Sequence, residues 1–135
     1  MKTVRGILVV NLMIQTILGG IMVFIPSIMS RLIYVAQPNI FVQAIGSVAL
    51  SIGLLIWLCL QKTRNKSNVD LVYTTLVVLT VFNLGLSIFL GLGAYYNLIS
   101  WLGVIIHLPL MLLCLCALLV ISNINTDNKT KITKA

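Results

Sequence analysis

The chain has 135 residues, of which 60% are hydrophobic and only 8% are charged, and its mean hydropathy is +1.13. Soluble domains carry about 25% charged residues, so this composition excludes an ordinary water-soluble fold. The net charge of +7 does not indicate binding to nucleic acid, because the basic clusters are not interleaved with aromatic residues.

Four apolar stretches fill most of the chain, at residues 6–25, 39–60, 71–93 and 99–121. A helix rises about 1.5 Å per residue, so each stretch is about 30 Å long or more and can cross a bilayer. Strands of a membrane barrel would alternate in polarity, and these stretches do not. The sequence therefore predicts an all-α, integral membrane four-helix bundle over residues 1–122 and a disordered basic tail over residues 123–135.

The two predicted outer loops differ in length. The first, at residues 26–38, contains Ser27, which can cap a short helix whose Ile28, Met29 and Leu32 share one side. Such a helix could lie flat on the membrane interface, or the segment could be a plain connector. The second loop, at residues 94–98, is so short that the third and fourth spans are predicted to be antiparallel neighbours.

The basic residues are distributed unequally between the two sides of this topology. Arg31 alone falls on the outer side, whereas the other eight share the side of the two termini: Lys2, Arg5, Lys62, Arg64, Lys66, Lys129, Lys131 and Lys134. The positive-inside rule then predicts that both termini are cytoplasmic, in a bacterial cytoplasmic membrane. This bias excludes insertion in both orientations, so any homodimer is predicted to be parallel.

The predicted spans carry no Asp, Glu, Lys or Arg near their middles, which argues against a proton-coupled carrier. They do carry uncharged polar residues at similar depths: Asn11, Gln15, Gln43, Ser47, Ser51, Asn83, Ser87 and His107. Because exposing an amide to lipid is costly, these side chains are predicted to turn inward and meet. They could simply bond the helices together, or they could line a polar cavity or a narrow permeation path.

His107 is followed by Pro109, which is predicted to kink the fourth span because it removes a backbone hydrogen bond. The chain has no second histidine for bis-histidine haem ligation. Cys114 and Cys116 point in different directions on a helix, so they predict neither a disulfide nor a chelate. We find no nucleophile–base pair, metal cluster or phosphate loop, and the sequence predicts no enzyme, cofactor or metal site.

The order of these features resembles that of small four-helix bacterial membrane proteins in the broad DoxX-like group. The likeness consists of an asparagine in the first span, Phe24-Ile25-Pro26, Gln43-Ala44-Ile45-Gly46 with Gly53, Asn83-Leu84, and Trp101-Leu102-Gly103. The resemblance covers the membrane domain in outline and includes no diagnostic motif. It implies an accessory subunit and identifies no functional residue.

Three functional hypotheses fit the sequence. The first is a non-catalytic membrane protein that assembles with, stabilises or regulates a larger membrane partner, as the small soluble portion suggests. The second is a small channel or carrier, built as a parallel homodimer around the polar residues at mid-depth. The third is an immunity protein that protects the membrane from a toxin, suggested only by size and basicity.

Overall fold

The computed structural model describes residues 2–32, 39–63, 68–96 and 100–132, and describes only the backbone of residue 39 and of residues 123–132. These ranges contain five helices: α1 (Lys2–Phe24), α2 (Pro26–Leu32), α3 (Asn39–Lys62), α4 (Val69–Tyr95) and α5 (Leu102–Ile132). Four of them contain a segment long and apolar enough to cross a membrane. The described residues are therefore all-helical, and the four long apolar helices predicted from the sequence are confirmed.

The four long helices form two closely packed pairs. α1 packs mainly against α3, and α4 packs mainly against α5, whereas smaller contacts between α1 and α5 and between α3 and α4 close the bundle. α1 and α4 therefore stand on a diagonal, and only their longer side chains meet at the centre. The start of α1, the end of α3 and the start of α4 share one end of the bundle, where they line a common pocket.

The inward faces of α3 and α5 repeat every seven residues. α3 buries positions 42, 46, 49, 53, 56 and 60 along this repeat and Cys59 beside it, and α5 buries positions 103, 107, 110, 114, 117 and 121. Alternating steps of four and three residues are the spacing of helices that pack side chains into one another's gaps. The neighbouring helices of the bundle can therefore run nearly side by side along their length.

A glycine pair allows the tightest approach, between α1 and α3. A Cβ atom added at Gly46 would lie 2.5 Å from the Met22 Cβ and 2.9 Å from the Gly19 carbonyl oxygen. A Cβ added at Gly19 would in turn lie 3.0 Å from the Gly46 carbonyl oxygen. Small residues at such a crossing favour helix association in lipid because they let the two backbones come close.

The interior consists of two apolar clusters separated by a polar layer. One cluster, towards the first turn of α1, includes Leu8, Ile56, Leu76 and Ile121. The other cluster, towards the opposite end, comprises four buried residues: Met22, Met29, Val42 and Leu90. Among the described residues, five of the six buried polar side chains lie between these clusters, and the sixth, Thr75, precedes Leu76 of the first cluster.

The outer surface of the bundle is apolar. Only 28% of the most hydrophobic 18-residue window of each spanning helix is buried inside the bundle. Large exposed residues such as Met13, Leu54, Val81, Ile105 and Leu119 cover the outside. A surface of this kind would aggregate in water but is well solvated by acyl chains, as an integral membrane protein requires.

The predicted short helix of the first loop is present as α2. Pro26 occupies its first position, where the missing N–H costs nothing. Met29 is buried, but Ile28 and Leu32 are exposed rather than packed on the same side as Met29. Residues 33–38 of this loop, and residues 97–99 of the short second loop, lie outside the described residues.

The basic tail, which the sequence predicts to be disordered, has a helical backbone as far as Ile132. α5 continues through Ile132, ten residues beyond the apolar segment that ends at Ser122. Once a helix has formed, each further residue adds one hydrogen bond, so a polar segment can extend it without packing. At the start of α4, the Asn68 side chain caps the helix by accepting a bond of 3.0 Å from the Leu71 N–H.

Candidate functional site

Five of the eight predicted polar residues meet inside the bundle: Asn11, Gln15, Asn83, Ser87 and His107. We call these five residues the polar layer. α1 contributes the first two, α4 the next two, and α5 the histidine. Asn83 is 0% exposed, Gln15 is 2% exposed and His107 is 6% exposed. All five side chains therefore lie in the interior of the bundle rather than on its outer surface.

The shortest contact between helices in the layer joins α5 to α4. The Asn83 Nδ2 donates to the Leu79 carbonyl oxygen over 2.9 Å, which orients the amide and leaves its Oδ1 free to accept. The His107 Nδ1 lies 2.9 Å from this Oδ1. Because the oxygen can only accept, the imidazole donates through Nδ1, and in the neutral ring Nε2 is then an acceptor.

Asn11 connects α1 to α5 and α4. Its Nδ2 donates to the Ile7 carbonyl oxygen over 3.1 Å and to the Cys114 Sγ over 3.5 Å. The Asn83 Nδ2 also approaches the Asn11 Oδ1, at the long distance of 3.5 Å. One asparagine on each diagonal helix therefore contacts the other, and α5 joins both. The arrangement ties three helices together with neutral groups.

Gln15 is the exception to this pairing. Its Nε2 is buried and, among the described residues, has no hydrogen-bond partner. An amide donor left unpaired in a buried place costs about 1–3 kcal/mol. Such a group is either a cost that the packing offsets or the binding point of a water molecule or a small polar solute.

The three predicted polar residues of α3 do not join the layer, and this part of the prediction is wrong. Gln43, Ser47 and Ser51 are exposed on the outer surface of α3. Each has a backbone partner: the Gln43 Nε2 donates to the Val23 carbonyl oxygen, and each serine hydroxyl donates to the carbonyl oxygen four residues earlier. α3 instead turns its glycines and Ala49 inward, because small residues permit the close crossing with α1.

Two neighbours of the layer were missed in the sequence, and so was another buried polar residue, Thr75, which lies eight residues before Asn83 on α4. Thr75 is buried and donates to the Leu71 carbonyl oxygen over 2.8 Å. Cys114 accepts from Asn11, and the Phe82 ring lies edge-on to His107, with centroids 6.4 Å apart. A heptad reading of α5 could have found Cys114, since it lies seven residues after His107. No comparable signal distinguishes Phe82.

Pro109 lies inside α5, which continues through it as one helix, and its side chain is exposed on the outside of the bundle. The kink predicted there stays a prediction. The polar layer itself contains hydrogen-bond donors and acceptors but no carboxylate, lysine or arginine. Its chemistry is therefore that of hydrogen bonding between neutral groups.

Comparison with protein-family models, with curated proteins and with solved structures gives no match to this chain. The resemblance to the DoxX-like group consequently stays a prediction. Two polar features of the structure bear on function: the buried polar layer, and the exposed residues Gln43, Ser47 and Ser51 of α3.

Proposed function

We propose that this chain is a small non-catalytic membrane protein that acts as an accessory, assembly or regulatory subunit of a larger membrane complex. In this proposal a helix of the partner packs on the polar face of α3, which we define as Gln43, Ser47 and Ser51. The observation that carries the proposal is the exposure of these three residues on a helix whose other exposed positions are mainly apolar.

The spacing of the polar face favours a helical partner. Its residues follow one another every four positions, so they form a stripe along one side of α3. The serine hydroxyls already donate to their own helix. In the proposal, these small side chains leave a shallow groove that receives the partner's helix. Small residues at this spacing let a second helix approach closely, and hydroxyl or amide groups then add contacts of about 0.6 kcal/mol each.

The interior supports a structural role for the polar layer. The amide nitrogens of Asn11 and Asn83 donate to protein acceptors, and the His107 Nδ1 donates to Asn83. A permeation path needs groups free to exchange partners with a passing solute, whereas these donors are already engaged. We therefore assign the layer to holding α1, α4 and α5 together.

The distribution of basic residues supports placement in a bacterial cytoplasmic membrane with both termini in the cytoplasm. Lys2 and Arg5 lie at the start of α1, and Lys62 is the last residue of α3, at the same end of the bundle. Arg31 lies in the last turn of α2, near the other end. Under the positive-inside rule the first end faces the cytoplasm.

Site-specific photocrosslinking in native membranes tests the proposed partner. A photoreactive residue at Ser47 should give one adduct of defined mass, identified by mass spectrometry as a larger membrane protein. Leu112 serves as the control, because it is exposed on α5, the helix diagonal to α3. Equal adducts from both positions, or none from Ser47, would contradict the proposal.

A second substitution ties the adduct to packing. Ser51→Leu fills the groove one turn from Ser47 and should reduce the adduct severalfold without changing the amount of folded protein. An adduct that contains only a second copy of this chain would instead favour a homodimer, as in the alternative function.

The alternative is a small channel or carrier, and the unpaired Gln15 amide is the observation that favours it. A polar solute at mid-depth could accept from Gln15 Nε2 and donate to the His107 Nε2. Flux measured in reconstituted vesicles across a panel of small neutral solutes tests it. Under this alternative Gln15→Leu abolishes a flux that Gln43→Leu leaves unchanged.

A further inference from the structure

The end of the bundle where α1 begins contains a pocket with an apolar floor and a basic rim. Its cavity volume is about 160 Å³, and it lies between the first turns of α1, the last turn of α3 and the first turn of α4. The floor is formed by four buried side chains: Val4, Leu8, Leu60 and Val72. Lys2 and Arg5 stand at the rim and remain exposed.

The two basic side chains lie one turn apart on the same side of α1, so both can reach one anion. Asp70 is the one described Asp or Glu side chain, and it does not line the pocket. Across the described ranges, no ion pair joins Lys2 or Arg5 to a carboxylate. The chain has nine basic residues and two acidic ones, so the counter-ion for this rim must come largely from outside the protein.

Depth and polarity point to the source of that anion. α1 has 23 residues and is therefore about 35 Å long, which places its first turn at the boundary between the acyl chains and the headgroups. The cavity has room for about five water molecules at roughly 30 Å³ each, which suits a headgroup with its first methylenes rather than a whole acyl chain. A free inorganic anion would gain nothing from the apolar floor.

We propose that this pocket binds the headgroup region of an anionic phospholipid. The phosphate accepts hydrogen bonds from Lys2 and Arg5, and the adjoining methylene groups lie on Val4 and Val72. Basic pockets between membrane helices on the cytoplasmic side are a known means of recognising anionic headgroups. This site is separate from the polar face of α3, and neither proposal depends on the other.

Native mass spectrometry of the full chain in detergent tests the site, with phosphatidylglycerol compared against phosphatidylcholine. One basic residue near an anionic headgroup changes affinity by about fivefold, so the wild type should prefer phosphatidylglycerol by about 25-fold. Lys2→Gln and Arg5→Gln should each lower that preference about fivefold. Lys62→Gln, which removes one charge from the same end but outside the pocket lining, should change it less than twofold.

Two further measurements separate the pocket from general charge attraction. Thr63 also lines the cavity and is half-buried, so Thr63→Phe should fill the space and abolish the preference while both cations remain. Millimolar inorganic phosphate should not displace phosphatidylglycerol from the wild type. Equal binding of the two lipids, an unaltered preference in Thr63→Phe, or full displacement by phosphate would each overturn the proposal.

Discussion

Replacing Asn83 by leucine should weaken the bundle by more than any other single change within the polar layer. Leucine has the same branching at Cγ, so the shape is kept although the methyl groups are larger, and the oxygen that accepts from His107 is lost. The His107 Nδ1–H then has no acceptor at a site where the ring is only 6% exposed. Leaving one buried donor unpaired costs about 1–3 kcal/mol, and we expect a loss of about 2 kcal/mol in the free energy of unfolding.

A double-mutant cycle separates the hydrogen bond from other effects of the substitution. Interhelical hydrogen bonds in membranes contribute about 0.6 kcal/mol on average and at most about 1.7 kcal/mol, so the coupling between Asn83→Leu and His107→Leu should fall in that range. The double variant should be more stable than Asn83→Leu alone, because neither partner is then left unpaired. The free energy of unfolding is measured in bicelles by steric trapping.

Leu84→Ile provides the control for the cycle, since Leu84 is the next residue on α4 and is exposed on the outside. Its effect should stay within about 0.5 kcal/mol, as for other surface substitutions. If Asn83→Leu costs no more than this control, or if its effect simply adds to that of His107→Leu, the hydrogen bond across the layer does not stabilise the bundle.

Two further predictions concern packing and the unpaired amide. Gly46→Ala should destabilise the fold by about 1–3 kcal/mol, because its Cβ would lie 2.5 Å from the Met22 Cβ. Gly85→Ala is the control, since no atom lies within 4 Å of the added Cβ, and it should be neutral or slightly stabilising. Thermal unfolding in detergent compares the two variants, and equal effects would refute the tight crossing. Gln15→Leu should raise the free energy of unfolding by about 1 kcal/mol, because it removes a buried donor that has no partner. A destabilised Gln15→Leu protein in the same assay would mean that a bound water molecule or solute satisfies this amide.

Hydropathy alone was sufficient to predict the helices, because in lipid the backbone must satisfy its own hydrogen bonds. The predicted stretch at residues 71–93 corresponds to α4 (Val69–Tyr95), and that at residues 6–25 corresponds to α1 (Lys2–Phe24). The ends extend further than predicted because Asn68 can cap α4 and basic residues can complete the first turn of α1. Such residues lower the hydropathy of a window without interrupting the helix.

The side of α3 that turns inward was harder to predict, and the reason is energetic. The prediction rested on the cost of exposing an amide and was extended to the serines of the same face, but Ser47 and Ser51 donate to their own helix and lose little by remaining outside. Gly46, Ala49 and Gly53 compete for the inward face because close approach to α1 gains dispersion contacts along both backbones. The seven-residue spacing of Gly46 and Gly53 favours the face that the structure turns inward.

The position of the polar layer suggests what it contributes beyond a few hydrogen bonds. Packing that repeats every seven residues could slip by one repeat, about 10.5 Å, and still bury apolar side chains. A slip of that size would separate His107 from Asn83 and bring the imidazole to the level of Leu76 or Leu90, whose side chains cannot accept a hydrogen bond. One register alone satisfies the layer, so the neutral polar residues select a single arrangement of α4 and α5 among several that apolar packing would allow. Under the proposed function, in which a fixed face of α3 is presented to a partner, the protein needs that selection more than it needs additional stability.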